Sequence, residues 1–410
     1  MTRDARLLFL ARAVRMFGYG ALGVILVLYL AAAGLEAWAI GLLLTLTLIG
    51  DTVISLVLTT HADRIGRRRT LIIGAVLMAL AGVVFAGSTA FLVLLVAATL
   101  GVLSPSGNEV GPFLPIEQSS LTEVTRSERR TSIYAWYNLT GSVATASGAL
   151  VAGLAVGGLR AAGWPELDAY RAVLVAYAVV GLAMVPIVRS VSPAVEVPAA
   201  DTSIARRFGL HRSKGIVGRL AALFALDAFA GGLIIQSLLA FWFHQRFGLR
   251  VEVIGAIFFG ANLLAAVSAL AAARIAARIG LINTMVFTHL PSNVLLMLVP
   301  LMPTVELAIA VLLARFSISQ MDVPARQSYT MAVVDPDERS TAAGVTGIAR
   351  TTGAALSPLL AAPLFAVPGL AALPFFIAGG LKIVYDLALW RAFRARRAPE
   401  DPASRTSRKD

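Results

Sequence analysis

The sequence has no cysteine among its 410 residues, which removes disulfides, thiolate metal sites and thiol nucleophiles. Histidine is scarce too: His61, His211, His244 and His289 stand too far apart to suggest a metal cluster. Charge is the more telling shortage. Only 14% of residues are charged against 58% apolar, with a mean hydropathy of +0.80. A soluble domain carries about 25% charged residues, so 35 basic and 23 acidic side chains are too few to solvate a globule of this length. No Gly-x-Ser-x-Gly step and no Walker-type glycine loop occurs, which argues against a serine hydrolase and against direct use of ATP. The shortage of acids leaves a net charge of +12 and a pI near 10.7. That balance suggests nucleic acid unless the placement of the basic residues has another cause.

What the chain does contain is apolar runs. A spanning helix needs about 20 mostly apolar residues to cross a core of roughly 30 Å. Twelve such segments are expected, near 10–32, 39–60, 70–89, 91–118, 131–157, 169–189, 218–242, 251–273, 283–302, 305–325, 340–366 and 370–391. The N-terminus lacks a small-residue cleavage site after its apolar run and reads as an uncleaved first span. The even-numbered connections and the two termini hold 28 Lys/Arg, whereas the odd-numbered loops hold four, Arg160, Arg171, Arg246 and Arg250. Three more, Arg315, Arg350 and Lys382, fall inside spans. The positive-inside rule then places both termini in the cytoplasm of a multi-pass cell-membrane protein. Membrane sidedness accounts for the basic excess, and nucleic acid is excluded as a partner. Trp38, Trp164, Trp242 and Trp390 fall near expected interfaces.

The chain repeats itself. Pro115-x-Glu117-Gln118-Ser119, followed by Glu128-Arg129-x-Thr131, returns as Pro324-x-Arg326-Gln327-Ser328, followed by Glu338-Arg339-x-Thr341. Ile40-Gly41 and Arg64-Ile65-Gly66 return as Ile254-Gly255 and Arg278-Ile279-Gly280. Both matches stand in register with the spans. They divide the chain into an N-terminal six-helix half (1–189), a basic cytoplasmic linker (190–217), a C-terminal six-helix half (218–397) and a short charged, disordered tail (398–410). Parallel repeats of this kind are a transporter architecture, with the substrate near the midplane between the halves.

The connection between the second and third spans reads Thr59-Thr60-His61-Ala62-Asp63-Arg64-Ile65-Gly66-Arg67-Arg68-Arg69. It resembles the signature loop of the major facilitator superfamily, Gly-x-Leu-Ala-Asp-Arg-x-Gly-Arg-Arg/Lys. The match runs from Ala62 to Arg68 and departs at Thr59 and His61; the second-half copy has Ala277 in place of the acid. Gly66 permits a tight turn, and the arginines suit anionic headgroups on the cytoplasmic leaflet. The resemblance implies an all-α membrane fold of twelve helices in two pseudo-symmetric bundles. It also implies that Asp63 meets the start of the eleventh helix, near Ser340 and Thr341, that spans 1, 4, 7 and 10 line a central cavity, and that spans 2 and 11 meet across the halves.

A charge at mid-depth costs at least ~2.5 kcal/mol, so each one is a candidate for function. At ~1.5 Å per residue, Asp51 and Arg350 lie at comparable depth, as do Asp227 and Arg315, with Arg15 and Glu109 nearer the cytoplasm. Asp227, Arg315, Asn262, Gln236, Arg15 and Glu109 are therefore the expected cavity and substrate residues. Asp51 and Arg350 are the expected gating or proton-coupling pair across the interface implied by the resemblance. Lys382 and Asp386, four apart in span twelve, are expected to pair with each other. The polar stretch Ser104-Pro105-Ser106-Gly107-Asn108-Glu109 suggests a broken fourth helix facing water, and the glycines of spans five and eleven suggest close helix packing.

These features point to a secondary transporter that moves a small organic solute by alternating access, as proton-coupled efflux. An importer or uniporter of the same fold is the alternative, and a membrane enzyme or receptor is a different class that nothing in the residues favours. The expected partners are a small-molecule substrate, protons and the lipid bilayer. The chain is expected to act as a monomer, with no cofactor, no metal and no catalytic residue.

Overall fold

The computed structural model describes residues 1–125, 130–196, 212–335 and 338–394; the side chains of Asp63, of residues 130–132 and of Ser340 are outside that set. The described residues form helices joined by short turns: α1 (Arg3–Ala32), α2 (Ala37–Ile65), α3 (Arg67–Gly87), α4 (Phe91–Leu100), α5 (Phe113–Glu123), α6 (Arg130–Ala161), α7 (Glu166–Arg189), α8 (Lys214–Gly232), α9 (Gln236–Phe247), α10 (Val251–Ile279), α11 (Leu281–Leu298), α12 (Val305–Phe316), α13 (Asp322–Ala332), α14 (Arg339–Ala366) and α15 (Leu373–Phe393). They follow the twelve expected segments, with α5 and α13 running several residues past the expected ends of the fourth and tenth. Three segments are each built from two helices: the fourth (α4, α5), the seventh (α8, α9) and the tenth (α12, α13). Among the described residues, nine helical stretches are long and apolar enough to cross a membrane. Large apolar side chains such as Leu80, Val83, Leu92, Val96, Leu154 and Val179 are exposed, as suits surfaces solvated by lipid rather than water.

Local chemistry sets the helix ends. Thr2 accepts from the Ala5 N–H (3.2 Å) at the start of α1, and Thr304 does the same for Leu307 (3.4 Å) at α12, satisfying donors that a helix start leaves open. Hydroxyls inside the spans bond back to the preceding turn, as Thr47 does to the Leu43 carbonyl (2.7 Å) and Thr346 to Ala342 (2.8 Å). Such self-satisfaction lets polar residues sit in an apolar medium.

By contact the chain forms two units. The N-terminal unit comprises Met1–Ala205 and Ile235–Gly260, and the C-terminal unit Arg206–Ile234 and Ala261–Asp410. In the N-terminal unit α1 packs against α6 and α7, α3 against α7, and α3 against α5. In the C-terminal unit α8 packs against α14 and α15, α11 against α15, and α11 against α13. The pairings are the same when spans are counted from the start of each repeat. Glycines make the tightest crossings possible: a Cβ on Gly148 would collide with the Phe17 carbonyl, and one on Gly353 with the Ala225 carbonyl.

The repeat extends to hydrogen bonds. Gly66 and Gly280 both have positive φ (+102° and +86°) and both begin a helix. Thr70 and Thr284, four residues on, donate to these glycines' carbonyls at 2.9 and 2.8 Å. The conformation is one that only glycine adopts without strain, which is why the match survives at these two positions.

Of the four tryptophans assigned to interfaces, Trp38 and Trp164 are exposed. Trp242 is instead buried, edge-on to Phe247 with ring centroids 5.6 Å apart. Its helix α9 belongs to the interior of the N-terminal unit, against α1.

Candidate functional site

Each unit encloses one cluster of ionised side chains. In the N-terminal unit the centre is Arg15, on α1 and wholly buried. Its Nε and Nη2 donate to Glu109 Oε1 at 3.0 and 2.7 Å, and Nη1 and Nη2 donate to Glu117 Oε1 and Oε2 at 2.5 and 2.7 Å. Arg12, one turn earlier, reaches Glu109 Oε2 at 2.8 Å. The Tyr137 hydroxyl donates to Glu117, and the two guanidinium groups lie over the Tyr137 and Phe113 rings at 4.3 and 4.4 Å. Gly141 leaves the space that the Arg12 head occupies. Two arginines thus meet two glutamates and, although Arg12 Nε itself makes no hydrogen bond, all four carboxylate oxygens accept from a guanidinium. This is the condition for burying ions without a large desolvation penalty.

The fourth span breaks beside this cluster, between α4 and α5, as its polar stretch leads one to expect. In the break the Ser104 hydroxyl donates to the Asn108 carbonyl (2.7 Å), and the Gly111 N–H donates to Asp51 Oδ1 (2.6 Å). Ser55 also donates to Asp51 (3.4 Å). Gln236, at the start of α9, packs its amide against Gly107 and Gly23, and the next N–H, of Ser237, donates to the Pro105 carbonyl (3.2 Å). Gln236 therefore belongs with Asp51 and Glu109 in the N-terminal unit.

The cluster of the C-terminal unit centres on Asp227 of α8. Lys382 Nζ donates to its Oδ1 at 2.6 Å, Arg326 Nη1 to Oδ2 at 3.2 Å, and Arg350 Nη1 stands 3.9 Å from Oδ2. Arg326 also donates to Asp322, one turn back on α13, at 3.0 Å. Arg315 is buried in the last turn of α12. Among the described residues it has no carboxylate within salt-bridge distance, and its guanidinium faces the Phe316 ring at 5.0 Å. Asn262 is half-buried on α10 of the same unit.

The expected pairing of Lys382 with Asp386 is not formed. Lys382 goes to Asp227, and Asp386 instead accepts from Asn293 Nδ2 (2.9 Å) and stands 2.9 Å from His289 Nδ1. Spacing by four puts two side chains on one face of a helix but does not choose between partners, and α8 and α11 each offer a buried group of fitting polarity. Both members of the expected Asp51–Arg350 pair have a partner within their own unit, the Gly111 N–H for Asp51 and Asp227 for Arg350.

The signature loop also departs from an arginine run facing headgroups. Arg67 is buried, its Nη1 donating to the Val195 carbonyl (3.0 Å), and Arg68 Nη2 donates to that of Arg189 (2.7 Å). Glu196 accepts the N–H groups of Arg67 and Arg68 at 2.6 and 3.1 Å, a carboxylate capping the positive end of α3. Arg64 is exposed at the end of α2. The side chains of Asp63 and of Ser340, one of its two expected partners, lie outside the described set, as do residues 197–211 of the linker and the tail beyond residue 394.

Glu117, Arg326, Arg12, Tyr137, His289 and Asn293 are the site residues that sequence reasoning missed. A signal for two of them was present. Glu117 and Arg326 occupy the same place in the repeat, between Pro115 or Pro324 and the Gln-Ser step, and they are the only two residues of that match with opposite charge. Arg15 and Asp227 correspond as well, 212 residues apart against 209 for the other pair. The two clusters are thus one arrangement with its signs exchanged, Arg15–Glu117 in one unit and Asp227–Arg326 in the other.

Residues 8–358 match the sequence profile of the Major Facilitator Superfamily. Over 378 residues the chain is 29% identical to an uncharacterized membrane protein, YJR124C, of Saccharomyces cerevisiae, covering 85% of this chain and 84% of that protein. Among solved structures it is similar to the nucleoside transporter NupG, at a TM-score of 0.73 and 14% identity over 96% of this chain and 100% of the other. It is also similar to a D-xylose-proton symporter, at a TM-score of 0.73 and 16% identity over 97% and 98% of the two chains. A bacterial homologue of the human lysosomal transporter Spinster, inward-facing and unoccupied, matches at a TM-score of 0.70 and 15% identity, over 96% of each. At these identities the structural likeness is one of fold. With the family profile covering most of the sequence, and the twelve segments and two units of the fold in place, the chain belongs to the Major Facilitator Superfamily and has the fold of a membrane transporter.

Proposed function

We propose that the protein is a secondary active transporter that carries a small organic solute by alternating access of its two six-helix halves, 1–189 and 218–397, and couples export of the solute to proton entry. The observation that carries this reading is the discontinuity of the fourth, seventh and tenth spans, each bordered by charge: the half-buried Glu109 and the buried Asp227 and Arg315. Discontinuous helices at corresponding places in two repeats are the usual foundation of a midplane substrate site, because freed backbone and charge survive in a membrane only where they face protein, water or ligand. Arg15, Glu109 and Gln236 would serve the site from the N-terminal unit, and Asp227, Arg315, Arg350 and Asn262 from the C-terminal unit. The solved transporters of like fold include a sugar-proton symporter and a nucleoside carrier, which agrees with an organic solute.

Asp51 supports the proton part. It is buried, it accepts from Gly111 and Ser55, and among the described residues it has no ion-pair partner. A carboxylate held by neutral donors beside a helix break is a group that can be loaded and unloaded with a proton as the break alternates between wet and dry. On this reading the protein works in the cell membrane as a monomer with cytoplasmic termini, which the basic residues of the even-numbered connections and the termini support.

Purified protein in liposomes, screened with labelled solutes under opposite pH gradients, tests this. Export should be driven by an inward proton gradient and lose that dependence in Asp51→Asn. Equal rates under both gradients, or an Asp51→Asn variant with the wild-type rate and pH dependence, would overturn the coupling.

A further inference from the structure

The two clusters differ in charge balance. In the N-terminal unit Arg12 and Arg15 face Glu109 and Glu117, two cations for two carboxylates. In the C-terminal unit Arg326, Arg350 and Lys382 gather around Asp227, with Asp322 as the second carboxylate, and Arg315 is buried in the last turn of α12, just ahead of the α13 that carries Asp322 and Arg326. Asp386 does not restore the balance, since its oxygens are occupied by His289 and Asn293. Lys382 and Arg326 take the two oxygens of Asp227 at hydrogen-bond distance, and Arg326 takes Asp322 as well. Among the described residues none of these carboxylates comes within salt-bridge distance of Arg315.

Buried donors without a hydrogen bond occur in both units, Arg12 Nε among them, and three belong to Arg315, Ser319 and Arg350 of the C-terminal unit. Arg315 Nε is buried without an acceptor in a residue only 8% exposed. The Ser319 hydroxyl, in the break just after α12, is buried without a partner, and Arg350 Nη1 reaches Asp227 only at ion-pair distance with no hydrogen bond. Buried donors, above all charged ones, are ordinarily satisfied, and one left open is costly unless something comes to fill it. Its own Phe316 ring gives Arg315 partial compensation. A ring cannot occupy a guanidinium fork, which fits the paired oxygens of a carboxylate or phosphate.

We propose that the C-terminal unit holds the anion subsite of the transported solute, with Arg315 as the binding residue, Ser319 and Arg350 as further donors, and a small organic acid or phosphate ester as the class of ligand. Lys382 and Arg326 are the positioning cations: by engaging Asp227 and Asp322 they keep those carboxylates from closing on Arg315. The proposal rests on the transporter reading above and narrows it from an organic solute to an organic anion.

The test uses the full-length protein in detergent and in nanodiscs of neutral lipid, with and without anionic phosphatidylglycerol. Thermal protection is measured against succinate, lactate, glycerol 3-phosphate and inorganic phosphate, beside choline and neutral sugars. At least one organic anion should protect the wild type in neutral lipid. Its apparent affinity should fall at least tenfold in Arg315→Gln, fall less in Arg315→Lys, and stay unchanged in Arg246→Gln, an exposed arginine of α9. Should Arg315→Gln not fold, the Lys variant and Ser319→Ala carry the comparison. Protection by choline or sugars with none by anions would overturn the anion class and leave the transporter reading standing. Protection by phosphatidylglycerol alone, or by inorganic phosphate as well as by any organic anion, would make the subsite one for headgroups or free ions and overturn the proposal. Flux of a protecting anion in liposomes reports separately on the transporter reading: binding without flux would sink that reading and not the subsite.

Discussion

Replacing Arg15 by methionine removes the one cation that Glu117 possesses. In the wild type Arg15 spends two N–H groups on Glu117 and two on Glu109, all within 3.0 Å and with Arg15 and Glu117 both wholly buried. Glu109 keeps Arg12 at 2.8 Å, but Glu117 is left with the Tyr137 hydroxyl. Stranding one member of a buried pair costs about 3–5 kcal/mol. Glu117→Gln is milder, because Arg15 retains both bonds to Glu109; the loss is that of charged hydrogen bonds, roughly 1.5–3 kcal/mol. The double variant Arg15→Met/Glu117→Gln restores neutrality, with Arg12 and Glu109 still paired and no carboxylate orphaned. It should therefore be more stable than Arg15→Met alone by about 1–3 kcal/mol, the cost of leaving a buried polar group unsatisfied. Thermal and denaturant midpoints of the three variants in one detergent make the comparison. A double variant no more stable than Arg15→Met would show that Glu117 is satisfied without Arg15, and the description of the cluster as a balanced ion pair would be wrong.

Two further outcomes follow from the geometry. Gly280→Ala places a side chain where φ is +86° and should cost about 1–3 kcal/mol; Gly158→Ala, within α6 and with no heavy atom near its Cβ position, should stabilise by up to about 1 kcal/mol. Opposite shifts of the thermal midpoint are the expected readout, and a harmless Gly280→Ala would contradict the turn. In double-mutant cycles on stability, Lys382 should couple to Asp227 by on the order of 2 kcal/mol and to Asp386 by less than about 0.5 kcal/mol. The reverse order would restore the pairing along the helix that spacing suggests.

The positions of charge were legible in part. Asp51, Asp227, Arg315 and Arg350 stand out because each interrupts an apolar run, and a window of hydropathy finds such interruptions. Arg15 and Glu109 are legible in the same way, nearer the cytoplasm, whereas Arg12 and Arg326 lie near span ends and read as cytoplasmic basic residues. Folding buries them all the same, because the broken fourth and tenth spans bring polar backbone and carboxylates to that level. Glu117 was visible only as a marker of the repeat. His289 and Asn293 gave no signal, one turn apart in an otherwise apolar segment.

The sequence by itself determined the membrane class, the twelve segments, the twofold repeat and the broken fourth helix. Each of these is a property of a local window or of a comparison between windows, and the bilayer imposes helices on any such window because its core offers backbone groups no other partner. Tertiary structure alone decided which charges meet. Arg15 takes Glu117 from 102 positions away, and Lys382 takes Asp227 from 155 positions away in preference to Asp386 on the same helix. In a medium of low dielectric the strength of an ion pair is set by contact distance and by the hydrogen bonds that complete it, and neither quantity is written along the chain. The surplus of cations around Asp227, and the open donors of Arg315, emerge only once those pairs have formed.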